Sequence, residues 1–92
     1  MIIAVTRINA PAPALDRMAE AFRQSARDLL QFSGFIGLEL WRNADTLEAI
    51  SRWVSREALD AYTASDAFRA HHGGAPQGGG GGVEYYEGEE VI

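Results

Sequence analysis

Few residue types in this chain can do chemistry. It contains no Cys and no Lys, and all eight of its basic residues are Arg. Without a thiolate there can be no thiol nucleophile, thiolate zinc site, iron–sulfur cluster or disulfide scaffold. Trp, Tyr, His, Thr and Arg remain. Trp41 and Trp53 are suited to a core or to the interface of a dimer, and either also suits the wall of an apolar pocket. His71 and His72 are adjacent, have no partner at helical spacing and no Cys to join them, so they do not form a metal site. Glu89 and Glu90 would point to opposite faces of a strand, which suits a solvated acidic tail better than acid–base work. The glycine run at 78–82 is followed by neither Lys-Ser/Thr nor a helix, and reads as a slack loop rather than a phosphate cradle.

The elements that must position these groups follow from periodicity. Residues 2–9, IIAVTRIN, are β-branched and too few for a stable helix. As a strand they place Ile2, Ala4, Thr6 and Ile8 on one face and Ile3, Val5, Arg7 and Asn9 on the other. Pro11 and Pro13 stop it. Leu15, Met18, Phe22, Ala26 and Leu29 then recur at three and four residues, the apolar stripe of a helix of about fifteen residues. Ser33-Gly34 ends that helix. Residues 35–42, FIGLELWR, set Ile36, Leu38 and Leu40 against Phe35, Gly37, Glu39 and Trp41. Asn43-Ala44-Asp45 supplies a turn, and 47–54 makes the antiparallel partner strand. Along that strand Arg52 and Trp53 must face opposite sides.

Ser55 is a credible N-cap with Glu57 in the first turn. Ala58, Leu59, Ala61 and Tyr62 supply the apolar face of a second helix, and Ser65-Asp66 suit the cap of a further turn carrying Phe68, His71 and His72. After the loop at 73–82 the chain ends in VEYYEGEEVI, a last strand weakened at Gly88. Strand, helix, strand, strand, helix, strand is the α+β, ferredoxin-like split βαβ order (βαββαβ), an antiparallel sheet with both helices on one face. Residues 1–92 are expected to form one domain.

Composition bounds the partners. Of the 92 residues, 47% are hydrophobic, enough for a core. A chain this short buries only about 60–65% of its unfolded surface, and its strands carry apolar residues on both faces, so a homodimer is expected. The net charge of −5 is largely terminal, because Glu84, Glu87, Glu89 and Glu90 all fall in the last ten residues. With a pI near 4.8 and no Arg cluster, nucleic acid is not an expected partner. No apolar run approaches the ~20 residues of a membrane span, and Met1-Ile2-Ile3-Ala4-Val5 does not read as a secretory signal. A cytoplasmic location is expected.

One stretch carries a resemblance. In residues 50–72, ISRWVSREALDAYTASDAFRAHH, a strand ends in Trp, Ser-Arg-Glu-Ala opens a helix, and Ser-x-x-Phe-x-x-x-His follows. Together with Ser-Gly-Phe at 33–35, in the place of a Pro-Gly-Phe, this resembles the antibiotic biosynthesis monooxygenase superfamily of dimeric α+β barrels. The resemblance covers most of residues 2–92 and implies two kinds of site. In the small haem-degrading members an Asn, a Trp and an iron-ligating His recur, and their positions fall on Thr6, Tyr62 and His72. In the cofactor-independent members, which oxidise polycyclic phenols and quinols with O₂, a Trp ends the third strand, with an Asn four residues before it and a Tyr six after. Trp53 matches that Trp, while Ala49 and Leu59 hold the other two places.

The resemblance therefore implies Trp53, Tyr62 and His72 as catalytic residues and Thr6, Trp41 and Phe68 as lining for a small aromatic molecule. Thr6, Arg52, Tyr62 and His72 are the polar candidates for stabilising a substrate anion. Three functions follow: a cofactor-free monooxygenase, a haem-binding or haem-degrading protein using His72, and a non-catalytic dimeric binding module.

Overall fold

The computed structural model of the chain describes residues 1–68 and 82–92. Its elements follow the expected order: β1 (Ile2–Asn9), α1 (Ala12–Leu29), β2 (Phe35–Arg42), β3 (Thr46–Trp53), α2 (Arg56–Thr63) and β4 (Gly82–Glu87). The sheet order is β2-β3-β1-β4, with every neighbouring pair antiparallel. β1 and β2 are thus parallel with β3 inserted between them, as the split βαβ arrangement requires. Of the loop expected at 73–82, all but Gly82 lies outside the described residues, and so do His71 and His72.

Local chemistry explains the boundaries, including two that depart from expectation. α1 begins at Ala12 rather than near Leu15, with Pro11 as its N-cap and Pro13 in the first turn. First-turn N–H groups have no partner inside a helix, so a proline there removes no hydrogen bond. The Pro11 carbonyl accepts from the N–H groups of Ala14 and Leu15 at 3.0 and 3.1 Å. The second departure is a bulge in β2, where Phe35 lies opposite Trp53 and Gly37 opposite Arg52. The extra residue, Ile36, is turned out and 48% exposed, while Phe35 joins Leu38 against the core. Simple alternation had put Ile36 with Leu38 and Phe35 on the other face, and a bulge reverses that phase for the residues before it.

The β2–β3 turn is held by Asn43, whose Oδ1 accepts from the N–H groups of Asp45 and Thr46. Ser55 caps α2 as expected, its hydroxyl accepting the Ala58 N–H at 3.2 Å. Gly34 joins α1 to β2 at φ +88°, and its carbonyl accepts the Val54 N–H at 2.8 Å.

Both helices lie on the face of the sheet that presents Ile2, Ala4, Leu47, Ala49 and Trp53. The core forms two clusters. One joins Ile2, Ala4, Leu29, Trp53, Leu59 and Tyr62, and the other joins Leu15, Ala19 and Leu47 with Phe22 and Leu40 against them. Among the described residues, none forms a layer over the other face. It carries Ile3, Val5, Ile50 and Tyr86 among two charged groupings: Arg7 with Glu48 and Glu84, and Arg52 with Glu39. Glu84, one of the terminal acids, thus meets an Arg of its own chain. Among the described residues no helix is long and apolar enough to cross a membrane.

Candidate active site

Trp53 ends β3 on the helix-facing side, and α2 brings Tyr62 over it. The two rings stack with centroids 5.3 Å apart and planes 21° from parallel. Three phenylalanines complete the assembly. Phe32 and Phe68 meet Tyr62 edge-on at 5.1 and 5.3 Å, and Phe35 meets Trp53 at 5.2 Å. Each such pair contributes about 0.5–1.5 kcal/mol beyond the area it buries. Trp53 is fully enclosed at 0% exposure, and Tyr62, 7% exposed, lies over it among the phenylalanine edges. The Trp53 Nε1–H donates to Ser51 Oγ at 3.0 Å, which fixes the indole.

Electrostatics in this cluster keep the Tyr62 phenol protonated. Desolvation among the rings, assisted by the negative charge of Asp28, pushes it up to about 12. It is therefore a neutral O–H group throughout the ordinary pH range, in surroundings where a hydrogen bond to a developing oxyanion is worth more than in water.

The other sequence-based candidates fall into three groups. Phe68 joins the cluster, and its N–H is capped by Ser65 Oγ at 3.2 Å, so the expected turn begins there. Thr6 lies on the same face of the sheet, opposite Ala49 on β3 and Val83 on β4. Trp41 does not join them. It alternates with the core-facing Leu40 and so lies on the uncovered face, is 61% exposed and donates its indole N–H to Glu39 at 3.0 Å. It therefore fills neither the core nor the pocket of its own chain. Arg52 is likewise on the uncovered face, opposite in sense to Trp53 as alternation required, and pairs with Glu39. His72 lies outside the described residues.

Sequence reasoning missed Ser51, Phe32 and Phe35. Ser51 was open to discovery, since the period of two puts it beside Trp53. Phe35 was hidden by the bulge and Phe32 by its place beyond the periodic part of α1. Among the described residues, no group of three His, Asp or Glu side chains is placed to hold a metal ion. A groove of about 490 Å³ also lies between Met1, Ser55, Arg56, Glu87 and Glu89. It is open to solvent and touches the aromatic assembly only through Ile2, the cross-strand partner of Trp53, and its Arg56 is already paired with Asp60 and set over the Tyr85 ring, so the enclosed cluster is the better candidate.

Comparison with known proteins agrees with the fold. The family model described as antibiotic biosynthesis monooxygenase matches residues 1–74. A haem-degrading monooxygenase of Listeria monocytogenes is 27% identical, over 79% of this chain and 70% of its own length. Among solved structures, SnoaB, a cofactor-independent oxygenase from Streptomyces nogalater, superposes with a TM-score of 0.78 at 18% identity, covering 99% of this chain and 95% of its own. The haem-degrader MhuD from Mycobacterium tuberculosis, with two haems bound in its active site, superposes at 0.73 and 22% identity, covering 100% and 99%. With a family model spanning most of its length and the expected sheet order and helix placement, the chain belongs to the antibiotic biosynthesis monooxygenase family.

Proposed function

We propose that residues 1–92 act as one cofactor-independent oxygenase domain on a small, electron-rich phenol or quinol. The observation that carries this reading is the Trp53–Tyr62 stack, with a phenol held neutral inside an apolar, water-poor assembly. The chemistry needs such surroundings. The ionised phenol passes an electron to dioxygen, and ring oxygenation follows; in the net reaction a naphthol and O₂ give a naphthoquinone and water. The ring C–H becomes a carbonyl, one oxygen atom enters the product and the other leaves as water. All the electrons come from the substrate. A neutral Tyr62 O–H favours the negative charge that develops on substrate or oxygen, and water exclusion strengthens that contact.

Dioxygen uptake with a panel of naphthols and hydroquinones tests the reading. Turnover is expected with at least one member, and Tyr62→Phe should lower kcat by about 10²–10³, the usual effect of losing one oxyanion donor. A flat electrode trace across the panel overturns it.

The curated haem-degrading relative favours a second reading, in which His72 ligates haem iron. The described residues would supply an apolar wall for a porphyrin (Phe32, Tyr62 and Phe68), and the iron ligand would have to come from His72. Haem titration should then give a sharp Soret band that is lost in His72→Ala. Its absence from the wild type removes this reading.

We also propose that a second copy covers the open sheet face. The half-buried Ile3 and Ile50 and the exposed Trp41 and Tyr86 leave apolar surface there that burial would stabilise. Sizing chromatography should give a dimer, and a species near 10 kDa would count against it.

A further inference from the structure

Between the two core clusters, the helix-facing surface of the two central strands is paved with small side chains. Ala4 pairs with Ser51 and Thr6 with Ala49, so four small residues lie in a block on β1 and β3. Trp53 and Tyr62 stand at one end of the block, and Leu47 and Ile8 at the other. Central strands beneath helices ordinarily bury such positions completely, yet Thr6 and Ser51 both retain partial exposure. Their hydroxyls are diagonal neighbours, a separation of about 7–8 Å between backbone positions.

The hydrogen-bond inventory of this pair is incomplete. Ser51 Oγ accepts the Trp53 indole N–H, which uses a lone pair and leaves the Ser51 proton unspent. Among the described residues no acceptor is found for that proton, nor any partner for the Thr6 hydroxyl. Two part-buried hydroxyl protons thus face the helical layer beside an aromatic wall, in a floor whose other members are methyl groups. A half-buried polar group gains most from a partner that a ligand brings with it.

We infer that Ser51 and Thr6 form a hydroxyl pair that receives an oxygen atom of a planar aromatic ligand. This rests on the oxygenase reading and names the ligand feature recognised: a phenolic or quinonoid oxygen on a fused-ring system, its ring edge toward Tyr62 and Phe68. Ala49 matters too, because a larger side chain between the two hydroxyls would close the floor.

The test compares naphthol with naphthalene, which has the same rings and no oxygen. Calorimetric titration of the wild-type protein should show naphthol binding more tightly. Ser51→Ala should weaken naphthol by about tenfold and leave naphthalene within twofold, since one hydrogen bond to an oxygen is lost. Ser51→Thr, which keeps the hydroxyl, should restore the preference, and Thr6→Val should reduce it as Ser51→Ala does. A merely structural role for Ser51 would weaken both ligands alike. Equal loss for the two ligands, no loss for either, or a wild type that does not prefer naphthol overturns the inference. Naphthol preference that depends on Ser51, with no dioxygen consumed, sinks the oxygenase reading and leaves the hydroxyl pair standing. Dioxygen consumption unaffected by Ser51→Ala and Thr6→Val does the reverse.

Discussion

Replacing Gly34 by Ala tests the way the site is assembled, because this residue joins α1 to β2 and supports the start of α2. Its φ of +88° lies where an L side chain is strained. A β-carbon there would stand 2.6 Å from Ala58 Cβ and 2.8 Å from Val54 Cγ2, against the ~3.5–4.0 Å of an ordinary carbon contact. The backbone conformation costs about 1–2 kcal/mol and overpacking commonly adds about 1–3 kcal/mol. Partial relief by movement of α2 leaves an expected loss of roughly 2–4 kcal/mol. Urea unfolding followed by circular dichroism, at fixed protein concentration, should show the midpoint falling by about 1–3 M with little change in slope. Because α2 carries Tyr62 one turn beyond Ala58, the same variant should also alter the near-ultraviolet signature of the aromatic stack. Gly37→Ala is the control: nothing lies within 4 Å of its β-carbon, and its stability should stay within about 0.5 kcal/mol. A Gly34→Ala protein as stable as that control would refute the packing described for α2.

Other consequences are as direct. Tyr62→Phe keeps the ring stack but removes the group that ionises near 10 when unfolded and near 12 when folded. Between those values the unfolded chain has released the proton and the folded one has not. The wild type should therefore lose on the order of 2–3 kcal/mol relative to Tyr62→Phe as pH rises from 10 to 12, and nothing below that window; parallel denaturation curves across it would contradict the burial of the phenol. Leu15→Ala, at a fully enclosed position beside Ala19 and Leu47, should cost about 2–5 kcal/mol in the same urea assay. Trp41→Glu should leave the circular dichroism spectrum intact while shifting sedimentation toward the monomer, and an unchanged sedimentation coefficient would remove Trp41 from any interface.

Much of the architecture could be read along the chain because it is written in local periodicity. The 3.6-residue stripe from Leu15 to Leu29, the alternation in residues 2–9, the Asn43 turn and the Ser55 cap depend on neighbours within a few residues, and so did the opposed senses of Arg52 and Trp53. The resemblance carried by Trp53, Ser55, Phe68 and His72 pointed to the right family for the same reason: its signature is contiguous. Trp41, Ile36 and Phe35 were beyond that reach. A single bulge exchanges faces for every residue before it, and no propensity in FIGLELWR signals where the extra residue sits. Whether a tryptophan belongs to a pocket or to an open sheet face depends on which face the helices cover, and that is settled by packing of α1 and α2 against β1 and β3. The stacking of Tyr62 on Trp53, the high pKa that follows, and the placing of the Thr6 and Ser51 hydroxyls between two clusters arise only when distant segments meet, since burial and hydrogen-bond partnership belong to the folded whole. Sequence by itself determined the elements, their order and the residue types available for chemistry; tertiary structure decided which of them share a surface, because sheet register and helix packing join residues that no local pattern connects.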